Sequence, residues 1–219
     1  PRQNITEVGL AGNFALFAGD DGLEVFDVTD PNDVQPAAKV FAGRYVHDFI
    51  ILDDYAYLIV PGENTLEVVN IQDPSVPYQA SSYSGPGNGS YNMYVISKDE
   101  GIIGLRPAWP GDAFSYVSLT LIDVSDPEHP EFLTSIPFDD ENTHSTAFVA
   151  ARGIGYKFGD GLVIRDLLVP SAPIFASTGL WATSAHLQDD MLFLARGAGG
   201  ISIYDLTIPH SMPRIYRNE

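Results

Sequence analysis

Ser118-Leu119-Thr120-Leu121-Ile122-Asp123-Val124-Ser125-Asp126-Pro127-Glu128 is an apolar run that ends on an acid and a proline turn. The same arrangement recurs as Gly22-LEVFDVTDP-Asn32, Thr65-LEVVNIQDP-Ser75, Gly161-LVIRDLLVP-Ser171 and Gly200-ISIYDLTIP-His210. The first prolines, Pro31, Pro74, Pro127, Pro170 and Pro209, follow one another at 43, 53, 43 and 39 residues. An extra segment at 106–116 accounts for the long third copy. Self-similarity at a period of this length marks a repeat architecture.

Working outward, each copy is preceded by a second apolar run: Phe14-ALFAG, Tyr55-AYLIV, Gly101-IIGLR, Gly153-IGYKF and Met191-LFLAR. A third run lies before that and a fourth after the prolines, so each repeat reads as four short strands, A to D. The B–C links carry glycine (Gly19-Asp20-Asp21-Gly22, Gly159-Asp160-Gly161, Gly197-Ala198-Gly199-Gly200), which supplies the positive φ of tight hairpin turns. No stretch holds a 3.6-residue apolar period, so almost no helix is expected. Runs such as Ile50-Ile51-Leu52 and Leu58-Ile59-Val60 do not alternate with polar residues. A blade packs neighbours on both faces and needs such runs; a two-sheet sandwich would show a polar outer side. The expected fold is all-β: a five-bladed β-propeller of four-stranded antiparallel blades. It forms a single domain over 1–219, with blades at about 1–44, 45–90, 91–142, 143–181 and 182–219.

The strand C motif, seen best in Leu121-Ile122-Asp123-Val124-Ser125-Asp126-Pro127, resembles the LVIVD repeat family. The fourth and fifth copies depart from it, with Val169 and Ile208 where the other three have Asp before the proline. The resemblance implies a β-propeller that is exported or held at the cell surface. It implies no particular activity and no catalytic residues. Because each repeat supplies its own four strands, closing a ring would rest on blade 1 packing against blade 5; otherwise the full protein is longer.

The net charge is −18 and the isoelectric point about 4.3, a surface that repels nucleic-acid phosphates and anionic lipid. No apolar stretch is long enough to insert in a membrane. The absence of cysteine excludes disulfides and thiol chemistry. The basic residues include only Lys39, Lys98 and Lys157 among the lysines, a balance that suits an extracellular or cell-surface location. The chain opens at Pro1, as a processed form or a portion of something longer would.

Five-fold recurrence separates scaffold from function. Asp27, Asn70, Asp123, Asp166 and Asp205 close strand C in every copy and are expected to bond the turn that follows. Residues found once carry more functional weight. In a propeller strand A is innermost, so the starts of strand A would gather at the mouth of the central channel. Glu7, His47, Asp48 and His144 lie at such starts, and two imidazoles with two carboxylates suit a divalent cation, the one cofactor the sequence admits. His186 falls deeper in strand A and reads as a core histidine. Trp109, Phe114 and Tyr116 in the third-blade insertion, with Tyr91, Trp181 and Asp48, form a candidate ligand-binding set of rings near carboxylates. The favoured reading is a non-catalytic interaction module for a protein or glycan partner, with self-assembly into a surface layer or filament as a variant. The competing reading is a glycoside hydrolase with Glu7 and Asp48 in the funnel, where a retaining pair sits about 5–5.5 Å apart.

Overall fold

The computed structural model of the protein describes residues 4–62, 65–85, 91–107, 118–137, 147–158, 162–169, 174–178, 181–207 and 214–218. Blade 1 consists of β1 (Ile5–Ala11), β2 (Phe14–Gly19), β3 (Gly22–Asp27) and β4 (Gln35–Val40). Blade 2 consists of β5 (Asp48–Leu52), β6 (Tyr55–Val60), β7 (Thr65–Asn70) and β8 (Tyr78–Ser84). Blade 3 is β9 (Tyr91–Ser97), β10 (Ile102–Pro107), β11 (Ser118–Asp123) and β12 (Glu131–Pro137). Blade 4 is β13 (Ala147–Ala151), β14 (Ile154–Phe158), β15 (Leu162–Asp166) and β16 (Ile174–Thr178). Blade 5 is β17 (Ser184–Gln188), β18 (Met191–Ala195), β19 (Ile201–Asp205) and β20 (Arg214–Asn218). Each blade is one sheet with its strands hydrogen-bonded in chain order, as the repeat requires. The only helical element among the described residues is a 3-10 turn at Gly197–Gly199. The fold class is therefore all-β, a five-bladed β-propeller.

Local chemistry explains why each repeat folds the same way. The carboxylate or amide that ends strand C accepts the backbone N–H two residues on: Asp27 from Thr29, Asn70 from Gln72, Asp123 from Ser125, Asp166 from Leu168 and Asp205 from Thr207, at 2.8–3.0 Å. This is the Asx turn, which bends the chain out of the strand. The residue directly after the acid then donates its N–H to a carbonyl of the A–B turn. The pairs are Val28 to Asn13, Ile71 to Asp54, Val124 to Gly101, Leu167 to Gly153 and Leu206 to Asp190, at 2.7–2.8 Å. Strand C is thus tied back to its own A–B hairpin in all five blades. In the B–C turn of blade 1, Gly22 has φ +91°, and a Cβ there would run into the carbonyl oxygens of Val40 and Phe41.

The chain forms two compact units, 1–135 and 136–219. In the first, one face of blade 1 (Leu16, Ala18, Leu23, Val25) packs on blade 2 (Phe49, Leu58, Val60, Val69). The opposite face of blade 2 (Tyr57, Ile59, Leu66, Val68) packs in turn on blade 3 (Met93, Ile103, Leu105, Ile122). The face that a blade turns to its successor we call leading, and the other trailing. In the second unit the leading face of blade 4 (Tyr156, Phe158, Leu162, Ile164) meets the trailing face of blade 5 (Leu192, Leu194, Tyr204). Strands β6 and β14 are buried on both faces, which is the physical reason for their unbroken apolar runs. Glu67 lies buried at the joint of blades 1 and 2. It is satisfied by Arg44 at 2.8 Å, Thr65 at 2.9 Å and Gln79 at 2.7 Å.

Candidate functional site

Within the first unit the inner strands neighbour one another, β1 beside β5 and β5 beside β9. Their starts are joined by side chains. A register shift between Ile5 and Glu7 bulges the beginning of β1. The Thr6 hydroxyl donates to the Val46 carbonyl at 2.8 Å, linking blade 1 to the entry of blade 2. Asp48 Oδ2 accepts the Met93 N–H at 2.8 Å, linking the inner strand of blade 2 to that of blade 3. Burial pushes the Asp48 carboxyl up to about 7; the Met93 N–H opposes the shift, and the neighbouring Glu7 charge adds to it. The Tyr45 hydroxyl lies 3.2 Å from His47 Nδ1, and desolvation holds His47 below the usual histidine range. Next to these, half-buried Tyr94 hydrogen-bonds Arg106 and Asn92 and feels the charge of Asp48.

The expected set is therefore divided. Glu7, His47 and Asp48 do lie at strand starts, and Glu7 is close enough to act on Asp48. Tyr91 opens β9 and packs partly buried against the core of blades 2 and 3. Trp109, Phe114, Tyr116 and His144 lie outside the described residues. Among the described residues no group of three His, Asp or Glu side chains is arranged to hold a metal ion, and no helix is long and apolar enough to cross a membrane. His186 is corrected: it is exposed. Tyr45, Tyr94 and Arg106 escaped the sequence reading. Tyr45 had one signal, an aromatic two residues ahead of the start of a strand A.

In the second unit Trp181 stands in the D–A loop before β17 and is 42% exposed. The edge of its six-membered ring lies against Gly197 of the 3-10 turn, where a Cβ would sit 3.4 Å away. Arg196 packs on Gly199 of the same turn, and its Nε is buried with no hydrogen-bond partner among the described residues. A D–A loop and a B–C loop thus meet here, as propeller geometry requires, and leave Trp181 part-exposed.

These features define an all-β propeller whose blades are copies of one short sheet. Two segments match the LVIVD repeat: residues 43–84, which include all of blade 2, and 113–136, which include β11. Solved structures share the fold at low identity. A candidate 6-phosphogluconolactonase from Bacteroides uniformis is 12% identical with a TM-score of 0.65, over 95% of this chain and 68% of that one. Hsv2p of Kluyveromyces lactis is 6% identical with a TM-score of 0.64, over 100% of this chain and 74% of that one. The computationally designed Ika8 protein is 10% identical with a TM-score of 0.63, over 94% of this chain and 59% of that one. The chain therefore spans 59–74% of the length of these three proteins. A natural fold shared with a computationally designed protein carries no activity with it. No curated protein matches the chain in sequence.

Proposed function

We propose that the protein is a non-catalytic, extracellular or cell-surface interaction module that binds a glycan or peptide through its D–A and B–C loops. The observation that carries this reading is Trp181, 42% exposed, with the edge of its ring next to Gly197 of the turn that Arg196 opens. A part-exposed tryptophan ring is large and rigid. It offers apolar area at little entropic cost, with a donor nearby for a hydroxyl or carbonyl. Tyr45, 40% exposed, offers a similar ring in the first unit. The four strand C aspartates and Asn70 each bond into their own turns.

Binding is tested by tryptophan fluorescence in a Trp109→Phe background, where Trp181 is the only reporter. The titrants are neutral oligosaccharides and basic peptides, since a net charge of −18 disfavours acidic ones. A saturable signal that weakens at least about tenfold on Arg196→Ala, with an unchanged melting temperature, supports the reading. Flat titrations with both panels overturn it.

A second reading is favoured by Asp48, a carboxyl raised to about 7 with Glu7 beside it, as in a glycosidase acid paired with a second carboxylate. Its Oδ2 already holds the Met93 N–H, which argues for a structural post. Glycan turnover that disappears in both Asp48→Asn and Glu7→Gln would select the enzyme.

A further inference from the structure

Two blades carry the same element at the same place. In blade 2 the chain enters β5 through Tyr45-Val46-His47-Asp48, and in blade 5 it enters β17 through Trp181-Ala182-Thr183-Ser184. The register fixes the correspondence. Asp48 lies opposite Ile59 and Ser184 opposite Ala195, each the fifth residue of its strand B. His47 donates its N–H to the Ile59 carbonyl at 2.9 Å, and Thr183 donates its own to the Ala195 carbonyl at 2.8 Å.

The burial repeats as well. Val46 and Ala182 are 0% exposed, whereas Tyr45 is 40% and Trp181 42% exposed. Side chains alternate along an extended chain, so a residue sunk in the core turns its two neighbours outward together. In blade 2 the Tyr45 hydroxyl reaches His47 Nδ1 at 3.2 Å, with the ring centroids 6.2 Å apart. In blade 5 a Cβ on Gly197 would meet both the Trp181 ring, at 3.4 Å, and the Thr183 methyl, at 4.0 Å. The two stretches share no residue, yet the pair they present is the same: a part-exposed aromatic ring with a hydrogen-bonding side chain two positions on.

We infer that each pair is a separate site for a neutral glycan, so that the chain holds two sites of one kind, one in each compact unit. This rests on the reading of the Trp181 loop as a binding surface, and adds to it a second site and a ligand class. A sugar ring offers a face of C–H groups to an aromatic ring and hydroxyls at its edge to a neighbouring polar group. His47 keeps Nε2, and Thr183, whose hydroxyl donates to the Ala195 carbonyl, keeps its oxygen lone pairs for such a hydroxyl. A peptide laid along these loops as an added strand would need free backbone N–H groups, and those of His47 and Thr183 are already bonded. The −18 charge disfavours an acidic glycan.

Amide magnetic resonance spectra of the protein, titrated with neutral hexasaccharides of glucose, mannose and N-acetylglucosamine, test this. Two groups of signals should move at saturation, around 45–48 and around 181–184. Trp181→Ala should weaken binding at the second group at least about tenfold and spare the first, and Tyr45→Ala should do the reverse. Tyr45→Phe, which keeps the ring, should bind as the wild type does. Unchanged signals elsewhere in each variant are the folding control. Movement confined to 181–184 overturns the second site and leaves the proposed function standing. Movement with lysine-rich peptides alone overturns the glycan class. Movement that survives both alanine variants overturns the assignment of the rings. If no probe moves either group, the inference and the reading it rests on fall together.

Discussion

At the scale of single residues, Asp48 gives the sharpest expectation. Its folded-state value is about 7 against an ordinary 3.8. Below about pH 4 both folded and unfolded chains hold the proton, and this group makes no difference to stability. Between about pH 4 and 7 the unfolded chain releases it first, so the unfolded state binds fewer protons and stability falls as pH rises. Above that window the loss is complete, on the order of 3–4 kcal/mol. Asparagine at this position keeps an oxygen for the Met93 N–H and has no charge to bury. Asp48→Asn should match the wild type near pH 4 and exceed it near pH 8. Urea unfolding across that range measures both curves, and parallel curves would sink the assignment. The residue also shows what sequence hides. Asp48 was visible as an acid at a strand start, but its bond to Met93 joins residues 45 positions apart, and no local pattern announces that contact. His186 was misread for a related reason, since depth along a strand does not say whether a side chain is buried.

At the scale of the element, the repeat was legible because its determinants are local. The Asx bond spans two residues, the hairpins are short and the four strands of a blade are consecutive, so periodicity in sequence is periodicity in space. Blade 2 adds a natural control: Asn70 makes the same bond as the four aspartates, which shows that the turn needs an acceptor and no charge. Asp123→Asn should therefore leave stability nearly unchanged, whereas Asp123→Ala should cost about 1 kcal/mol through the orphaned Ser125 N–H. Equal losses in the two variants, measured by the shift in urea midpoint, would place the effect in the charge instead. At Asp27 and Asp205 these bonds hold the carboxyl below its usual range, the hydroxyl of Thr29 and the N–H of Thr207 being the largest causes. Their contribution is present above the ordinary aspartate range and is lost as pH falls through the lowered values. Asp73 and Asp126 are lowered as well, by Ser75 and by His129, so these turn carboxylates share the acid limb of the stability curve, and the limb between pH 4 and 7 belongs to Asp48.

At the scale of the molecule, 29 acidic residues face 11 basic ones, giving −18 at pH 7. The pairs that offset this charge are local: Lys39 with Asp21 and Glu24 at 2.6 Å, Lys98 with Asp53 at 2.9 Å, and Arg152 with Asp190. The remaining acids repel one another across the folded surface, an effect that screening removes, since the Debye length shrinks from about 8 Å at physiological salt to about 3 Å at 1 M. Melting temperature at pH 8 should therefore climb with sodium chloride. The gap between pH 5 and pH 8 should narrow but not vanish, because the desolvation of Asp48 is internal and salt does not reach it. In Asp48→Asn the surface part alone remains, so the same gap should close nearly completely at high salt. Calorimetry of both proteins at one protein concentration separates the two contributions, the fixed concentration excluding any gain from self-association. If wild type and variant lost the same fraction of the gap to salt, the pH dependence would lie wholly on the surface and Asp48 would titrate as an ordinary exposed acid.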